Sequence, residues 1–341
     1  MRPSPRIARV TELRTHHAVS DPAVSTRSVL PVWLAVVFSV IIGALYAVQS
    51  RVNGELGVRI GDGFTAAVIS FGSGLVLLSA AMLLWPTGRR GLTRVGEAVR
   101  GGELSWWHLF GGVSGALFVL SQGLAASLLG LALFSVATVA GQTISGLLMD
   151  QFGIGPGGKR PLTVTKVVGV LVALLAVAWT VSGQLKSDVP LWLLWLPLAA
   201  GIAQGWQQAV NGHVRILARS ALTATFLNFL TGTIALFIAA VVHGLAVGFP
   251  TSLPTAPWLY VGGVIGCIFI AGAAIVVRTT GVLLLGLAIV AGQLLCALAI
   301  DLFSPTSGHP LTLTTVGGTV LALVAVVIVG FRWRVPGRRR G

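Results

Sequence analysis

Ten stretches of this 341-residue chain are apolar over about 20 residues each: 31–50, 64–85, 106–127, 130–151, 163–182, 190–210, 222–247, 257–278, 281–302 and 312–332. A bilayer core about 30 Å thick is crossed by a helix of roughly 20 residues, so the pattern predicts ten membrane-spanning helices. Polar residues separate most of them. The third and fourth, and again the eighth and ninth, are joined almost without a polar linker, which places their breaks near 128–129 and 279–280.

The charged positions are distributed unevenly between alternate connections. Of the 23 Lys and Arg, all but Arg51, Arg59 and Lys186 fall on the side that holds both termini. Positive residues are retained on the cytoplasmic side, so both ends are expected in the cytoplasm. The net charge of +14 is then a consequence of topology and does not point to nucleic acid. Tryptophan favours the membrane–water interface, and Trp33, Trp85, Trp106, Trp107, Trp179, Trp192, Trp195, Trp258 and Trp333 all lie near predicted helix ends, whereas Trp206 lies deep in the sixth.

Composition agrees: 55% of the residues are hydrophobic and 9% charged, with a mean hydropathy of +0.91, far from the roughly 25% charged residues of a soluble domain. Residues 1–28 and 334–341 are basic and polar and are expected to be cytoplasmic tails, the first poorly ordered. Cys267 and Cys296 fall inside apolar runs, with neither a metal-ligand spacing nor a disulfide framework around them. No Walker-type loop, HExxH, CxxC or G-x-S-x-G is present, so neither a cofactor nor a metal is expected.

The chain also resembles itself. The stretch from Gly43, GALYAVQSRVNGELGVRIGDGFTAAVISFGSG, aligns without gaps on that from Gly201, GIAQGWQQAVNGHVRILARSALTATFLNFLTG, at an offset of 158. Gln49 meets Gln207, Asn53 meets Asn211 and Phe71 meets Phe229. At an offset of 151, WHLFGGVSGALF from Trp107 meets WLYVGGVIGCIF from Trp258, and the stretch from Gly130 meets that from Gly281, bringing Gln142 onto Gln293 and Asp150 onto Asp301. Apolar residues coincide by chance, so the rare polar ones carry the match. The repeat predicts two five-helix units, 29–185 and 186–333. Five is odd, so the second unit enters the membrane in the opposite sense, an architecture frequent among secondary transporters.

Five plus five spans in inverted repeats resemble the drug/metabolite transporter superfamily, and AVQSRVNGELG together with the AGQ…D.F segments of both halves is similar to its YdcZ-type family of bacterial inner-membrane exporters. The resemblance implies an all-α polytopic protein of the cytoplasmic membrane that moves a small molecule. It does not imply a cargo. Simpler members of that family resemble a single five-helix unit working as paired subunits, so a monomer or a homodimer of this fused chain is expected.

Polar side chains within the spans are the candidate chemistry. Gln49 and Asn53 share a helix face at the end of the first span, and Gln207 and Asn211 repeat this at the end of the sixth. An unsatisfied amide in hydrocarbon is costly, so these four either line a central cavity or bind helix to helix, and each Asn-Gly could instead form a turn. Gln142 and Gln293 lie mid-span beside small residues, and Trp206 could stack on an aromatic or cationic solute. Glu55, His213, Asp150 and Asp301 are the candidates for ion coupling or gating, although no carboxylate lies in the middle of a span. An amide lining suits a neutral or zwitterionic solute. Competing expectations are a structural or regulatory subunit, whose matched amides would bond one another, and a membrane enzyme acting on a lipid-linked substrate.

Overall fold

The computed structural model describes residues 31–154, 163–182, 191–304 and 312–330; the two terminal tails lie outside them. Among the described residues all regular structure is helical: α1 Val32–Ile60, α2 Gly63–Leu84, α3 Pro86–Arg100, α4 Gly111–Ser121, α5 Ser127–Leu129, α6 Leu131–Phe152, α7 Val164–Ser182, α8 Trp195–Ala218, α9 Ala221–Val247, α10 Gly262–Phe303 and α11 Leu313–Gly330. Among the described residues six stretches are long and apolar enough to cross a bilayer: Trp33–Ile60, Gly63–Leu84, Trp106–Leu129, Leu131–Met149, Ala221–Val247 and Gly286–Phe303. Two shorter apolar helices, Val167–Ser182 and Leu313–Ile328, accompany them.

Several boundaries differ from those the apolar runs suggest. Helix α1 continues ten residues past the end expected at residue 50, through Asn53-Gly54 to Ile60, and α8 continues past residue 210 to Ala218. The Asn-Gly pairs are therefore helical, and the amides beside them sit within a helix rather than at its end. The true turns come later and repeat at the 158 offset. Gly61 and Arg219 both take left-handed backbone, φ 73° and 51°, and the next residue caps the following helix. Asp62 accepts from Phe64 N and Thr65 N, and Ser220 accepts from Thr223 N. Such caps satisfy backbone donors that the first turn leaves unpaired.

The connection after the second span contains a helix that a search for apolar runs passes over. Helix α3 carries Gly88, Gly91, Val95 and Ala98 on one face, and Val95 and Ala98 pack with Leu104, Val214, Ala218 and Ala224. Arg94 Nη1 donates to Ala218 O at 3.2 Å, and Thr223 Oγ1 donates to Gly88 O at 2.8 Å. Its other face exposes Arg89, Arg90 and Arg100.

At the third–fourth junction, Gly130 breaks the chain with φ 78°. At the junction expected near 279–280 no loop intervenes, because residues 262–303 are helical throughout, and the change of direction is made within the helix. A straight helix of 42 residues would run roughly 63 Å at 1.5 Å per residue. The neighbours of α10 rule out a straight rod. Gly262 lies beside Asn53, Gly266 beside Gln49 and Gly272 beside Ile42, and Val276 clusters with Ala35 and Ile42; yet Ile289 and Gln293 lie against Gly43, and Gly292 against Val40. Both limbs of α10 follow α1, so its path bends back between Val276 and Ile289.

The same contacts occur in both halves with the partners exchanged. Gly43 of α1 faces Ile289 and Gln293, while Gly201 of α8 faces Thr138 and Gln142. Gly292 faces Val40, while Gly141 faces Leu198. Helix α1 is thus clasped by α10, and α8 by α4 and α6, and only glycine lets the backbones come so near. At the centre Phe71 and Phe229, which match in the repeat, stack on each other at 4.8 Å.

Candidate substrate-binding site

Three groups of polar side chains lie along the interface between the halves. In the middle, Gln142 Nε2 on α6 donates to Gln204 Oε1 on α8 at 2.5 Å, and Gln204 Nε2 donates to the hydroxyl of Tyr46 on α1. Tyr46 is buried, with its ring stacked on Phe118 at 4.7 Å and tilted against Phe269 at 5.0 Å. Tyr46 and Gln204 are matched positions, 158 apart, so two equivalent residues meet across the interface. Gln293 is 1% exposed, and its Nε2 has no hydrogen-bond partner among the described residues.

The second group closes around Asn53. Asn53 Nδ2 donates to Gln122 Oε1 at 2.7 Å, Gln122 Nε2 donates to Ser50 Oγ at 2.8 Å, and the Ser50 hydroxyl donates to Tyr46 O at 3.0 Å. Gln49 Nε2 donates to Gly262 O at 2.9 Å. Asn53 Oδ1 and Ser70 Oγ face Gly262 without a hydrogen-bond partner among the described residues. Gln49 and Asn53 are 6% and 1% exposed.

The third group holds the matched pair in a different state. Gln207 Nε2 and Asn211 Nδ2 both donate to Asn228 Oδ1, at 2.9 and 3.1 Å, and Gln207 and Asn211 are only half-buried. Asn228 stands where the first half has Ser70. The stacked Phe71 and Phe229 lie between the two end groups: Phe71 and Gln207 both border Gly115, and Phe229 and Gln49 both border Gly266. The four amides therefore form two separate clusters, one at each end, with the Tyr46–Gln204–Gln142 chain near the middle.

The other candidates are placed elsewhere. Trp206 stacks near Trp107 at 6.3 Å, Trp107 lies on His108 at 3.7 Å, and His108 meets His213 edge-on at 5.2 Å. His213 Nε2–H donates to Ile154 O at 3.0 Å. On α8, Trp206 and His213 share a face about a third of a turn from Gln207 and Asn211, so Trp206 does not complete the amide cluster. Glu55 pairs with Arg59 at 2.8 Å, and the Arg59 guanidinium lies 5.4 Å over Trp258. The Asp301 carboxylate accepts from Leu131 N at 3.1 Å and Ala132 N at 2.6 Å, the place where a negative charge best stabilises a helix. Asp150 is in the last turn of α6, and its side chain lies outside the described residues. No group of three or more His, Cys, Asp or Glu that could hold a metal occurs among the described residues.

Tyr46, Gln204, Gln122, Ser50 and Asn228 are the site residues that a search for repeat-matched identities misses. Tyr46 and Gln204 match each other but are unlike, as are Ser70 and Asn228. Gln122 matches Ala273 and leaves no signal in the repeat.

Two stretches of the chain, residues 34–179 and 192–328, match the family described as "Putative inner membrane exporter, YdcZ". The chain belongs to the YdcZ family. The match covers both halves, and the members' description agrees with apolar helices built to cross a membrane. No curated protein matches the sequence. One similar solved structure, titled "Crystal structure of protein", superimposes with a TM-score of 0.51 at 17% identity over 87% of this chain and 95% of that one. At that identity the likeness concerns the fold alone.

Proposed function

We propose that this YdcZ-family chain is a secondary transporter whose two halves, 29–185 and 186–333, are inverted five-helix repeats that expose a central polar site alternately to the two faces of the membrane. The observation that carries the proposal is the unlike state of matched amides: Gln49 and Asn53 are sealed, while Gln207 and Asn211 are half-buried. Exchanging the two states would move the opening from one face to the other, the rocking motion that inverted repeats permit. The exchanged glycine contacts supply rigid crossings about which such a motion could turn. With 20 of 23 Lys and Arg on the side of the termini, the Asn211 end faces the cytoplasm and the Asn53 end the outside.

The polar side chains support a class of cargo. Tyr46, Gln142, Gln204, Gln207, Asn211, Asn228 and Gln293 offer donors and acceptors and no formal charge, which suits a small neutral or zwitterionic solute moved outward. Membership of an exporter family supports the direction. A ligand that binds only the native state stabilises it, by about 2.7 kcal/mol at a hundredfold excess over Kd. The test is thermal stability of purified protein against amino acids, nucleosides, sugars and polar drugs. A shift that Asn211→Ala abolishes supports the proposal, and a flat response across the panel counts against it.

A structural or regulatory subunit is the second reading, favoured by one observation: Gln142, Gln204 and Tyr46 bond one another. That reading predicts that Gln204→Leu lowers stability and that no solute raises it.

A further inference from the structure

The Asn53 end is sealed by contacts that the second half of the sequence does not reproduce. Gln122 opens a wide π turn, Gln122–Ala126, between α4 and α5, a local irregularity often associated with functional sites. It is fully buried and bridges Asn53 and Ser50. Around it the backbones touch. A Cβ at Gly57 would stand 3.0 Å from the carbonyl carbon and 3.1 Å from the Cα of Gly123, and one at Gly63 would stand 2.6 Å from Leu124 Cδ2. One at Gly54 would stand 2.7 Å from Ser127 Oγ.

At the matched positions the second half carries Arg215 for Gly57, Ala221 for Gly63, Ala273 for Gln122, Ala274 for Gly123 and Arg278 for Ser127. A side chain at position 57 is incompatible with the approach of Gly123, so arginine at its counterpart excludes the same seal. The missing amide at Ala273 removes the bridge as well. The two ends are therefore unequal in sequence and not only in the state captured.

We propose that Ser50, Asn53, Gly57 and Gly63 with Gln122 and Gly123 form a latch that closes the Asn53 end at rest, and that the Asn211 end has no equivalent. The chain then rests open toward the Asn211 end, and entry of solute from that side must release the latch. This deepens the transporter proposal and rests on it. The latch is built to be released. Asn53 Oδ1, Ser70 Oγ and Ser127 Oγ are buried in or beside it without hydrogen-bond partners among the described residues, and an unmade bond to a buried polar atom is costly. Water admitted on opening would satisfy all three, offsetting the loss of the two amide bonds and the glycine packing. Two nearly balanced arrangements are what a switching element requires.

The test measures access and needs no solute, so it stands or falls apart from the transporter proposal, which solute binding decides. In full-length protein carrying Cys267→Ala and Cys296→Ala and reconstituted in nanodiscs, a single reporter Ser127→Cys or Asn211→Cys is labelled with a membrane-impermeant methanethiosulfonate. The expected result is labelling of Ser127→Cys at least tenfold slower than Asn211→Cys, with Gln122→Ala and, separately, Gly57→Leu each raising the Ser127→Cys rate about tenfold. Gln122→Ala leaves the glycine contacts in place, so it reports even if Gly57→Leu fails to fold. Equal rates at the two reporters, or a Ser127→Cys rate that Gln122→Ala leaves unchanged, would overturn the latch.

Discussion

The closest helix crossings offer a quantitative test of the packing. At Gly43 a Cβ would stand 2.8 Å from the carbonyl carbon of Ile289 and 2.9 Å from Gln293 N, against 3.4 Å where ordinary contact begins. Both neighbours are backbone and cannot rotate away. The carbonyl oxygen of Ile289 lies nearer still, so Gly43→Ala must part α1 from α10 by at least roughly 0.6 Å, the shortfall at the carbonyl carbon. Overpacking of this kind costs about 1–3 kcal/mol, here toward the upper end because no side chain can yield. Alanine recovers about 1 kcal/mol of helix propensity relative to glycine. The net loss is about 2 kcal/mol, roughly a 30-fold change in the folded-to-unfolded ratio.

Gly201→Ala, facing Gln142 N at 2.9 Å, should cost a similar amount. Gly72→Ala in α2 has nothing within 4 Å of its would-be Cβ and should be neutral or stabilising by up to about 1 kcal/mol. Denaturant unfolding in detergent, followed by tryptophan fluorescence, measures all three. Gly43→Ala and Gly72→Ala shifting stability in the same direction by the same amount would refute the packing described.

Three further outcomes follow from the polar contacts. Asp301→Ala removes a carboxylate that holds two backbone N–H groups at the start of α6 and should cost about 1.5–3 kcal/mol in the same unfolding assay. Tyr46→Phe combined with Gln204→Leu should show a coupling energy of about 0.6–1.7 kcal/mol in a double-mutant cycle, because the hydroxyl accepts from that amide. Asn228→Ala leaves the Gln207 and Asn211 amides without their common acceptor; its solute affinity should fall about tenfold, the effect of roughly 1.4 kcal/mol, read by titration of the thermal shift.

The sequence carried some of this plainly and hid the rest for physical reasons. Apolar runs located most helices, but the search stopped α1 at Arg51, whereas the helix continues to Ile60 with Ser50 and Asn53 turned to the interior. Helix α3 was hidden because its docking face is only Gly88, Gly91, Val95 and Ala98, too sparse for a hydropathy window. Matched identities pointed to Gln49, Asn53, Gln142, Gln207, Asn211 and Gln293. Phe71 and Phe229 meet as like residues, whereas Tyr46 and Gln204 are unlike and could not be found by looking for the same letter twice. Asp301, which its place in a span offered for ion coupling, holds the backbone N–H groups of Leu131 and Ala132, a contact that no repeat match announces. The twin arginines Arg215 and Arg278 contributed to the orientation, while their more specific meaning emerged only when Gly57 and Ser127 were seen at the sealed end.

The most direct measurement is counterflow in proteoliposomes with radiolabelled amino acids, nucleosides and sugars, comparing the unaltered chain with a Gln142→Leu, Gln293→Leu double variant shown to be correctly inserted. The account predicts that at least one solute exchanges through the unaltered chain and that the double variant loses at least nine-tenths of that rate. Exchange undiminished in the double variant, or no exchange of any solute by the unaltered chain, would contradict a central amide site that carries cargo.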